Sequence, residues 1–187
     1  MPPAVRLVPF TAAHLPAFAA LAGDPDVLAY TRFPDPPEPA FPAQWLARYE
    51  SGRRDGTKEA FAVEGEDGAL LGLALAVEID PAAGAAELGY LVAPAARGRG
   101  IATAALRALT AWARDERGLR TITLLIDARN EASQKVAERS GYALTRVDRD
   151  AELRPGRRGD LMVYELAGTS DASGAPQASR SSGGGTL

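Results

Sequence analysis

The stretch that decides the fold is residues 87–106, ELGYLVAPAARGRGIATAAL, which joins an extended apolar run to a helical one. The connecting turn, residues 97–100 or RGRG, leads into the first turn of the predicted helix. Backbone N–H groups in a first turn lack intrahelical partners, and together with the helix dipole they attract an anion. Glycine lets the backbone approach a ligand closely, and the two arginines add positive charge. The turn is therefore predicted to bind a phosphate or pyrophosphate.

Two common nucleotide-binding motifs do not fit this turn. A dinucleotide fingerprint needs G-x-G-x-x-G, but Gly98 and Gly100 are followed by Thr103. A Walker loop needs a lysine before Ser or Thr, and residues 87–106 contain no lysine. Taken alone, the turn has the alternative interpretation of an ordinary connection between a strand and a helix.

Hydrophobic periodicity on both sides of this stretch predicts an α/β protein. The predicted strands lie at residues 5–8, 61–63, 70–79, 86–92, 121–126, 142–147 and 161–166. The predicted helices lie at residues 11–22, 26–31, 44–53, 100–118 and 131–139. An irregular proline-rich loop is predicted at residues 33–42 and a charged loop at residues 148–159. Because strands 61–92 follow one another through tight links, we expect a mixed, mainly antiparallel central sheet flanked by helices.

Composition excludes several classes of chemistry. The 187 residues include no cysteine and one histidine, so a thiol nucleophile, a disulfide framework and a His-rich or thiolate metal centre are excluded, and no metal is expected. The net charge of −3 provides no electrostatic basis for direct nucleic-acid binding. The chain shows no long apolar run and no secretory signal, so we expect a cytoplasmic protein without a membrane segment. Residues 1–166 are expected to form one domain, followed by a disordered Gly/Ser/Ala-rich tail at residues 167–187.

Three motifs in order along the chain resemble a known family. Residues 97–102, RGRGIA, match the R/Q-x-x-G-x-G/A signature of the GNAT superfamily of N-acyltransferases. Residues 130–142, NEASQKVAERSGY, resemble the N-x-x-S-x-x-V-A-x-x-x-G-F/Y segment of the branch that contains ribosomal-protein N-terminal (alanine/serine) acetyltransferases. Residues 87–90, ELGY, resemble the E-x-G-Y strand of that branch, and the whole resemblance covers about residues 5–166.

The resemblance implies a binding site for acetyl-CoA. The turn would bind the pyrophosphate, and the strand that ends at Leu91 and Val92 would splay from the strand that ends near Ile126, so that the pantetheine arm lies between them. A strand that loses its neighbour leaves backbone groups that the two amides of this arm can satisfy. The implied cofactor-binding residues are Leu91, Val92, Arg97, Gly98, Arg99, Gly100, Ile101, Ala102, Thr103 and Asn130.

The implied reaction is attack of a neutral amine on the thioester, with departure of the coenzyme A thiolate. Glu87 is the candidate general base, and the alternative for it is a strand carboxylate held by an arginine. Ser133 is the candidate proton donor to the thiolate, and the alternative for it is a place in a capped first helical turn. Many relatives carry a tyrosine acid seven residues after the Asn, where this chain has Ala137, so the general acid stays open. Tyr142 is predicted to be a core residue.

The remaining polar and aromatic residues have two interpretations each. His14 is predicted to be a solvated surface residue. Tyr30, Phe33 and Trp45 either line an acceptor pocket or pack the helical front onto the sheet, and packing is the favoured interpretation. The basic run at residues 154–158 lies either in a solvated hairpin loop, which is favoured, or against an acidic partner.

These features together predict an acetyl-CoA-dependent N-acetyltransferase that acts on a primary amine. An α-amino group, with a pKa of about 8, suits a site without strong bases better than a lysine amine near about 10.4. The acceptor is either a protein N-terminus or a small amine such as an antibiotic or polyamine, although no acidic pocket for a polyamine is evident. A catalytically silent acetyl-CoA-binding module is the alternative from another class, and monomer and homodimer both stay open.

Overall fold

Seven β-strands form one sheet in the computed structural model, which describes residues 3–167. The strands are β1 Arg6–Pro9, β2 Glu59–Glu64, β3 Leu70–Asp80, β4 Ala85–Val92, β5 Thr121–Asp127, β6 Tyr142–Arg154 and β7 Arg157–Leu166. Their order across the sheet is β1-β2-β3-β4-β5-β7-β6. Every neighbouring pair is antiparallel except β4 and β5, which are parallel. The predicted mixed, mainly antiparallel sheet is confirmed.

Helices cover both faces of the sheet. They are α1 Leu15–Ala22, α2 Pro25–Tyr30, α3 Phe41–Asp55, α4 Ile101–Ala111 and α5 Glu131–Arg139. Two of them, α2 and α5, begin at a residue whose side chain caps the helix. Asp24 accepts the N–H of Val27 at 3.1 Å and so caps α2. α3 begins three residues before its predicted start, because Pro42 is compatible with the first turn of a helix. The proline-rich loop is correspondingly shorter than predicted.

The sheet separates two hydrophobic cores. Alternation along β3 directs Leu73 and Leu75 towards α1, α2 and α3, and Ala74 and Ala76 towards α4 and α5. An aromatic cluster fills the first core, and its members are Phe10, Phe18, Phe33, Trp45 and Tyr49. The second core is aliphatic, and its fully buried members include Leu106, Leu109, Ile122 and Leu124. The middle of β3, residues 72–76, is therefore buried on both faces, whereas β4 and β5 each bury one face and leave the other partly exposed.

The charged loop predicted between the last two strands is wrong. β6 and β7 continue through residues 148–159 as a long hairpin that turns at Pro155 and Gly156. The charged side chains of this ribbon pair with one another, as between Arg149 and Asp160. Hydrophobic alternation gives no signal here because the ribbon is mostly exposed on both faces. The favoured interpretation of residues 154–158 as a solvated loop is wrong for the same reason.

Two polar aromatic residues have structural roles. His14 is partly buried and not a solvated surface residue as predicted, because its Nδ1 accepts the N–H of Thr11 at 3.0 Å and its ring stacks on Phe10. The prediction that Tyr142 belongs to the core is confirmed: it is 3% exposed, and its hydroxyl lies 2.7 Å from that of Thr110. Neither residue lines the cavity described below.

The tail predicted at residues 167–187 lies outside the described residues, apart from Ala167. Among residues 3–167, no helix has the length and apolar character needed to cross a bilayer.

Candidate active site

A cavity of about 1050 Å³ opens where β4 and β5 separate. Pairing between these parallel strands runs from Ala85 and Thr121 to Leu88 and Leu124 and stops there. β4 continues to Val92 against β3, and β5 continues beside β7. The splay predicted for the middle strands is therefore present, and the strand edges beyond Leu88 and Leu124 face the cavity.

A glycine in β3 explains why β4 leans away from β5. Gly72 is paired with Val92, and a Cβ atom added to Gly72 would lie only 2.1 Å from the carbonyl oxygen of Leu91. No side chain fits at that distance, so the end of β4 packs directly on the backbone of β3. Leu91 and Val92, two of the predicted cofactor-binding residues, line the cavity on this side.

The glycine turn lies at the mouth of the same cavity. Gly98 and Gly100 have φ angles of 72° and 80°, a left-handed conformation that favours glycine. Gly100 is the N-cap of α4, which has no side-chain cap. Its carbonyl accepts the first helical hydrogen bond, from the N–H of Ala104 at 3.1 Å. The N–H groups of residues 101–103 precede that bond, so the turn has the donor geometry of an anion site. The predicted residues Ile101, Ala102 and Thr103 line the cavity here.

The two arginines of the turn differ in their surroundings. Arg97 lines the cavity, but its guanidinium is held by the carboxylates of Asp24 and Asp26, at 2.6 Å from Asp26. Burial raises the pKa of the Asp24 carboxyl, but hydrogen bonds from Arg97 and from the Val27 N–H outweigh this effect and lower it. Arg99 is exposed and does not line the cavity. The positive charge expected at the turn is thus partly neutralised by α2.

The start of α5 forms the opposite wall of the cavity. Asn130 caps this helix, because its Oδ1 accepts the N–H of Ser133 at 3.1 Å. The hydroxyl of Tyr90 lies 2.7 Å from Ser133 Oγ and also donates to the Ser133 carbonyl at 3.2 Å. Ser133 therefore belongs to a capped first turn, and it also lines the cavity, while its role as a proton donor stays a prediction. Tyr90 was not singled out from the sequence, although strand alternation would have placed it opposite Glu87.

Glu87 lies in the wall of β4 on the side of α3. Its carboxylate is partly buried and lines the cavity, and within residues 3–167 it forms no ion pair. Burial is the main cause that raises its pKa. Arg32 and Lys58 oppose the shift, and the like charge of Glu78, its cross-strand partner, adds to it. An arginine-held strand carboxylate is therefore not what the structure contains.

The aromatic residues of the helical front serve both packing and the cavity. Phe33 and Trp45 are 9% and 2% exposed and belong to the aromatic cluster, whereas Tyr30 is 42% exposed. All three line the cavity as well. The favoured packing interpretation holds for Phe33 and Trp45, which contribute to the cavity lining as well.

The tip of the β6–β7 hairpin closes one side of the cavity. Arg154 donates to the carbonyl of Leu28 at 2.7 Å, and Arg157 donates to that of Ala29 and to Asp127. Cations at the carbonyl end of α2 are favourable partners for a helix terminus. In the part of the chain that the structure describes, no group of three or more His, Cys, Asp or Glu residues could hold a metal ion.

The fold and the site together define an acyltransferase architecture, with a helix N-terminus that has the geometry of an anion site beside two separating strands. Residues 4–143 match the family described as the acetyltransferase (GNAT) domain. The chain belongs to the GNAT acetyltransferase family, whose members take the acetyl group from acetyl-CoA. The predicted family, and with it the enzyme class and the acetyl donor, is confirmed at the level of the family.

Individual relatives differ in their acceptors. The chain is 35% identical over 100 residues to YdaF of Bacillus subtilis (strain 168), which carries the provisional name of a ribosomal N-acetyltransferase. This match covers 54% of the chain and about half of the relative, 55%. The fold is similar to spermidine N-acetyltransferase from Vibrio cholerae, solved with CoA and spermine, at a TM-score of 0.76 and 20% identity over 87% of this chain and 94% of that one. It is also similar to the microcin C7 self-immunity acetyltransferase MccE, solved with acetyl-CoA and AMP, at a TM-score of 0.77 and 17% identity over 86% and 91%.

We expect Gly100→Glu to abolish most coenzyme A binding, because it places a carboxylate at the N-terminus of α4 where an anion would bind. Gly118→Glu is the matched control, since Gly118 also has a positive φ, of 65°, but lies away from the cavity. Both variants strain the backbone by about 1 kcal/mol. Calorimetry should show the dissociation constant of coenzyme A rising at least about 100-fold for Gly100→Glu alone. Equal affinities of the two variants would contradict the assignment of the turn.

Proposed function

We propose that the protein is an N-acetyltransferase that moves the acetyl group of acetyl-CoA to a primary α-amino group, such as that of a peptide or protein N-terminus. The observation that carries this proposal is one cavity that joins the glycine turn, the gap between β4 and β5, and the Glu87 carboxylate. The match to YdaF supports a peptide acceptor, and the solved relatives that hold coenzyme A support the donor.

The residues around the gap suit the donor in two places. The N–H groups at the start of α4 and the left-handed Gly98 and Gly100 suit a pyrophosphate, and Arg97 adds a guanidinium at the same turn. The free strand edges at Leu91 and Val92 suit the amides of the pantetheine arm, as Asn130 does at the opposite wall. Of the predicted cofactor-binding residues, Arg99 is the one that is exposed and does not line the cavity. Its charge can therefore attract the phosphates of the cofactor only at long range.

The transfer needs one base and one acid on opposite sides of the thioester. The amine nitrogen bonds to the thioester carbonyl carbon, and the carbon–sulfur bond breaks. The amine proton passes to the Glu87 carboxylate, directly or through a water, and the departing thiolate takes the proton of the Tyr90 hydroxyl. The products are the acetylated amine and the free thiol, after which Glu87 loses its proton to solvent and Tyr90 regains one.

The environment of Glu87 suits a base for an α-amine. An ordinary glutamate has a pKa of about 4.3, several units below the pKa of an α-amine. Its carboxylate is therefore a weak proton acceptor for such an amine. Burial, the largest cause, raises the pKa of Glu87 and brings it closer to the pKa of the amine. The Glu87 carboxylate is therefore a stronger base than an ordinary glutamate. An α-amine with a pKa of about 8 needs less help than a lysine amine near about 10.4.

Tyr90 takes the place of the acid that Ala137 cannot provide. Burial raises the pKa of Tyr90 to about 12, so its hydroxyl is protonated at neutral pH and able to donate. Ala137 itself is the fully buried residue of α5 and offers no polar group. Ser133 orients Tyr90 through the 2.7 Å contact between the two hydroxyls, which makes it a positioning residue.

The proposal is tested by release of coenzyme A thiol from acetyl-CoA with a panel of peptide amides, spermidine and small amines. Turnover is expected with at least one peptide α-amine, together with a mass increase of one acetyl group on the peptide. Thermal stabilisation by acetyl-CoA without turnover on any acceptor would instead favour a silent cofactor-binding module. Turnover confined to spermidine or an antibiotic amine would contradict the peptide acceptor and leave the acetyl transfer in place.

Glu87→Gln is expected to lower kcat/KM by about 10²- to 10⁴-fold, the usual contribution of a general base. A plot of wild-type kcat/KM against pH should have a rising limb where Glu87 deprotonates. Because the pKa of Glu87 is raised, this limb should lie at higher pH than it would for an ordinary glutamate. In Glu87→Gln only the limb of the acceptor amine should remain. Glu78→Gln is the control: it removes the neighbouring like charge and should shift the Glu87 limb to lower pH without abolishing turnover. An unchanged pH profile in Glu87→Gln would rule out the base.

Tyr90→Phe is expected to lower kcat by about 100-fold while the KM for acetyl-CoA stays within about twofold, because the thiolate loses its proton donor. Tyr142→Phe provides a matched control, since it removes another buried tyrosine hydroxyl, which is bonded to Thr110 and does not line the cavity. That variant should lose about 1 kcal/mol of stability and keep full turnover. Equal kcat values for the two variants would show that Tyr90 has no part in the reaction.

A further inference from the structure

The charge of the cavity wall is opposite to that of the protein. The chain has a net charge of −3, but nine basic and only four acidic side chains line the cavity. The basic ones are Arg32, Arg48, Lys58, Arg97, Arg129, Lys135, Arg139, Arg154 and Arg157. A bound pyrophosphate at the glycine turn accounts for positive charge at that end only. The basic residues at the other end, near Glu87, need a separate explanation.

Most of these cations already have partners. Arg97 binds two carboxylates of α2, and Arg157 and Arg129 bind Asp127. Arg154 donates to the Leu28 carbonyl, and Lys58 Nζ donates to that of Val77. Two guanidinium groups on the α3 side are different, because within residues 3–167 neither Arg32 nor Arg48 forms an ion pair or a hydrogen bond.

Arg32 and Arg48 line the same cavity as the candidate base. Arg32 follows α2 and Arg48 lies on α3, one residue before Tyr49, and all of them line the cavity with Glu87. Arg32 is close enough to Glu87, and Arg48 to Tyr49, for their charges to act on those groups. An amine that approaches Glu87 therefore enters a cavity lined by two guanidinium groups that have five donors each and no acceptor.

We propose that the acceptor carries a carboxylate next to its amine, that Arg32 and Arg48 bind this carboxylate, and that polyamines are poor acceptors. This inference rests on the proposed transfer to an α-amine and specifies its substrate class. Guanidinium groups pair with carboxylates through two parallel hydrogen bonds, whereas a polycation at the same place meets like charge. The fold shared with the spermine-bound enzyme from Vibrio cholerae does not carry its acceptor over, because only 20% of the residues are identical.

The test compares acceptors that differ only in this charge. Peptide amides with N-terminal Glu or Gln, free alanine against alaninamide, and spermidine are titrated into the protein loaded with coenzyme A, and their turnover with acetyl-CoA is measured in parallel. The carboxylate member of at least one pair should bind about 10- to 100-fold more tightly than its neutral partner. The Glu/Gln pair reports a side-chain carboxylate, and the alanine pair reports an α-carboxylate. The preference should weaken between 0.05 and roughly 0.5 M salt, because the guanidinium groups are exposed.

The variants identify the residues responsible. Arg48→Gln and Arg32→Gln should each raise KM for the carboxylate acceptor about 10-fold or more, with the KM of the neutral acceptor nearly unchanged. Turnover is compared at a pH where Glu87 is deprotonated in every variant, because loss of Arg32 raises the pKa of Glu87 further. Arg54→Gln is the control, since Arg54 is also exposed on α3 but does not line the cavity. Equal binding of the charged and neutral acceptor in both pairs would overturn the inference, and so would a carboxylate preference that survives in the double variant Arg32→Gln/Arg48→Gln. In either case, turnover with a peptide α-amine would still support the proposed acetyl transfer. A charge preference in binding without turnover supports the inference and refutes the transfer.

Discussion

The structure depends on the point where β4 and β5 stop pairing. Two parallel strands that separate inside a buried sheet would leave costly unpaired backbone groups unless each strand kept its other neighbour. Here β4 keeps β3 as far as Val92, through the close approach at Gly72, and β5 keeps β7 to Asp127. Only the edges that face each other are released, and they face a cavity of about 1050 Å³. The split thus creates a slot for a ligand with backbone-like amides while leaving most of the sheet hydrogen-bonded.

The two ends of the cavity are connected through α2. Its first turn, at Asp24 and Asp26, holds Arg97 of the glycine turn, and its last carbonyls are held by Arg154 and Arg157 of the hairpin. A helix of six residues has little stability of its own, so these ion pairs and hydrogen bonds fix its position. Because the same short helix contacts the glycine turn and the acceptor end, a displacement of α2 would disturb both.

The sequence made the central elements predictable and the peripheral ones less so. β3, β4, β5, α4 and α5 each carry a clear hydrophobic period or a glycine boundary of their own, and local patterns suffice for such elements. The β6–β7 hairpin has no such period, because its charged residues pair only after the strands have met. Tyr90 was missed for a related reason: its partner Ser133 lies 43 residues further along the chain, and Asp24 lies 73 residues from Arg97. A motif can indicate the position of a residue, but not the partner that the fold brings to it.

The chemistry of the site follows from the alternation of one strand. Glu87 and Tyr90 are three residues apart on β4, so an extended backbone directs them to opposite faces of the sheet. Glu87 faces the side of α3, where the unpaired Arg32 and Arg48 lie, and Tyr90 faces α5. A thioester lying in the gap between β4 and β5 would have a proton acceptor on the amine side and a proton donor on the sulfur side. In the proposed reaction, a chain without cysteine and with a single histidine outside the cavity thus carries its base and its acid at residues 87 and 90 of one strand.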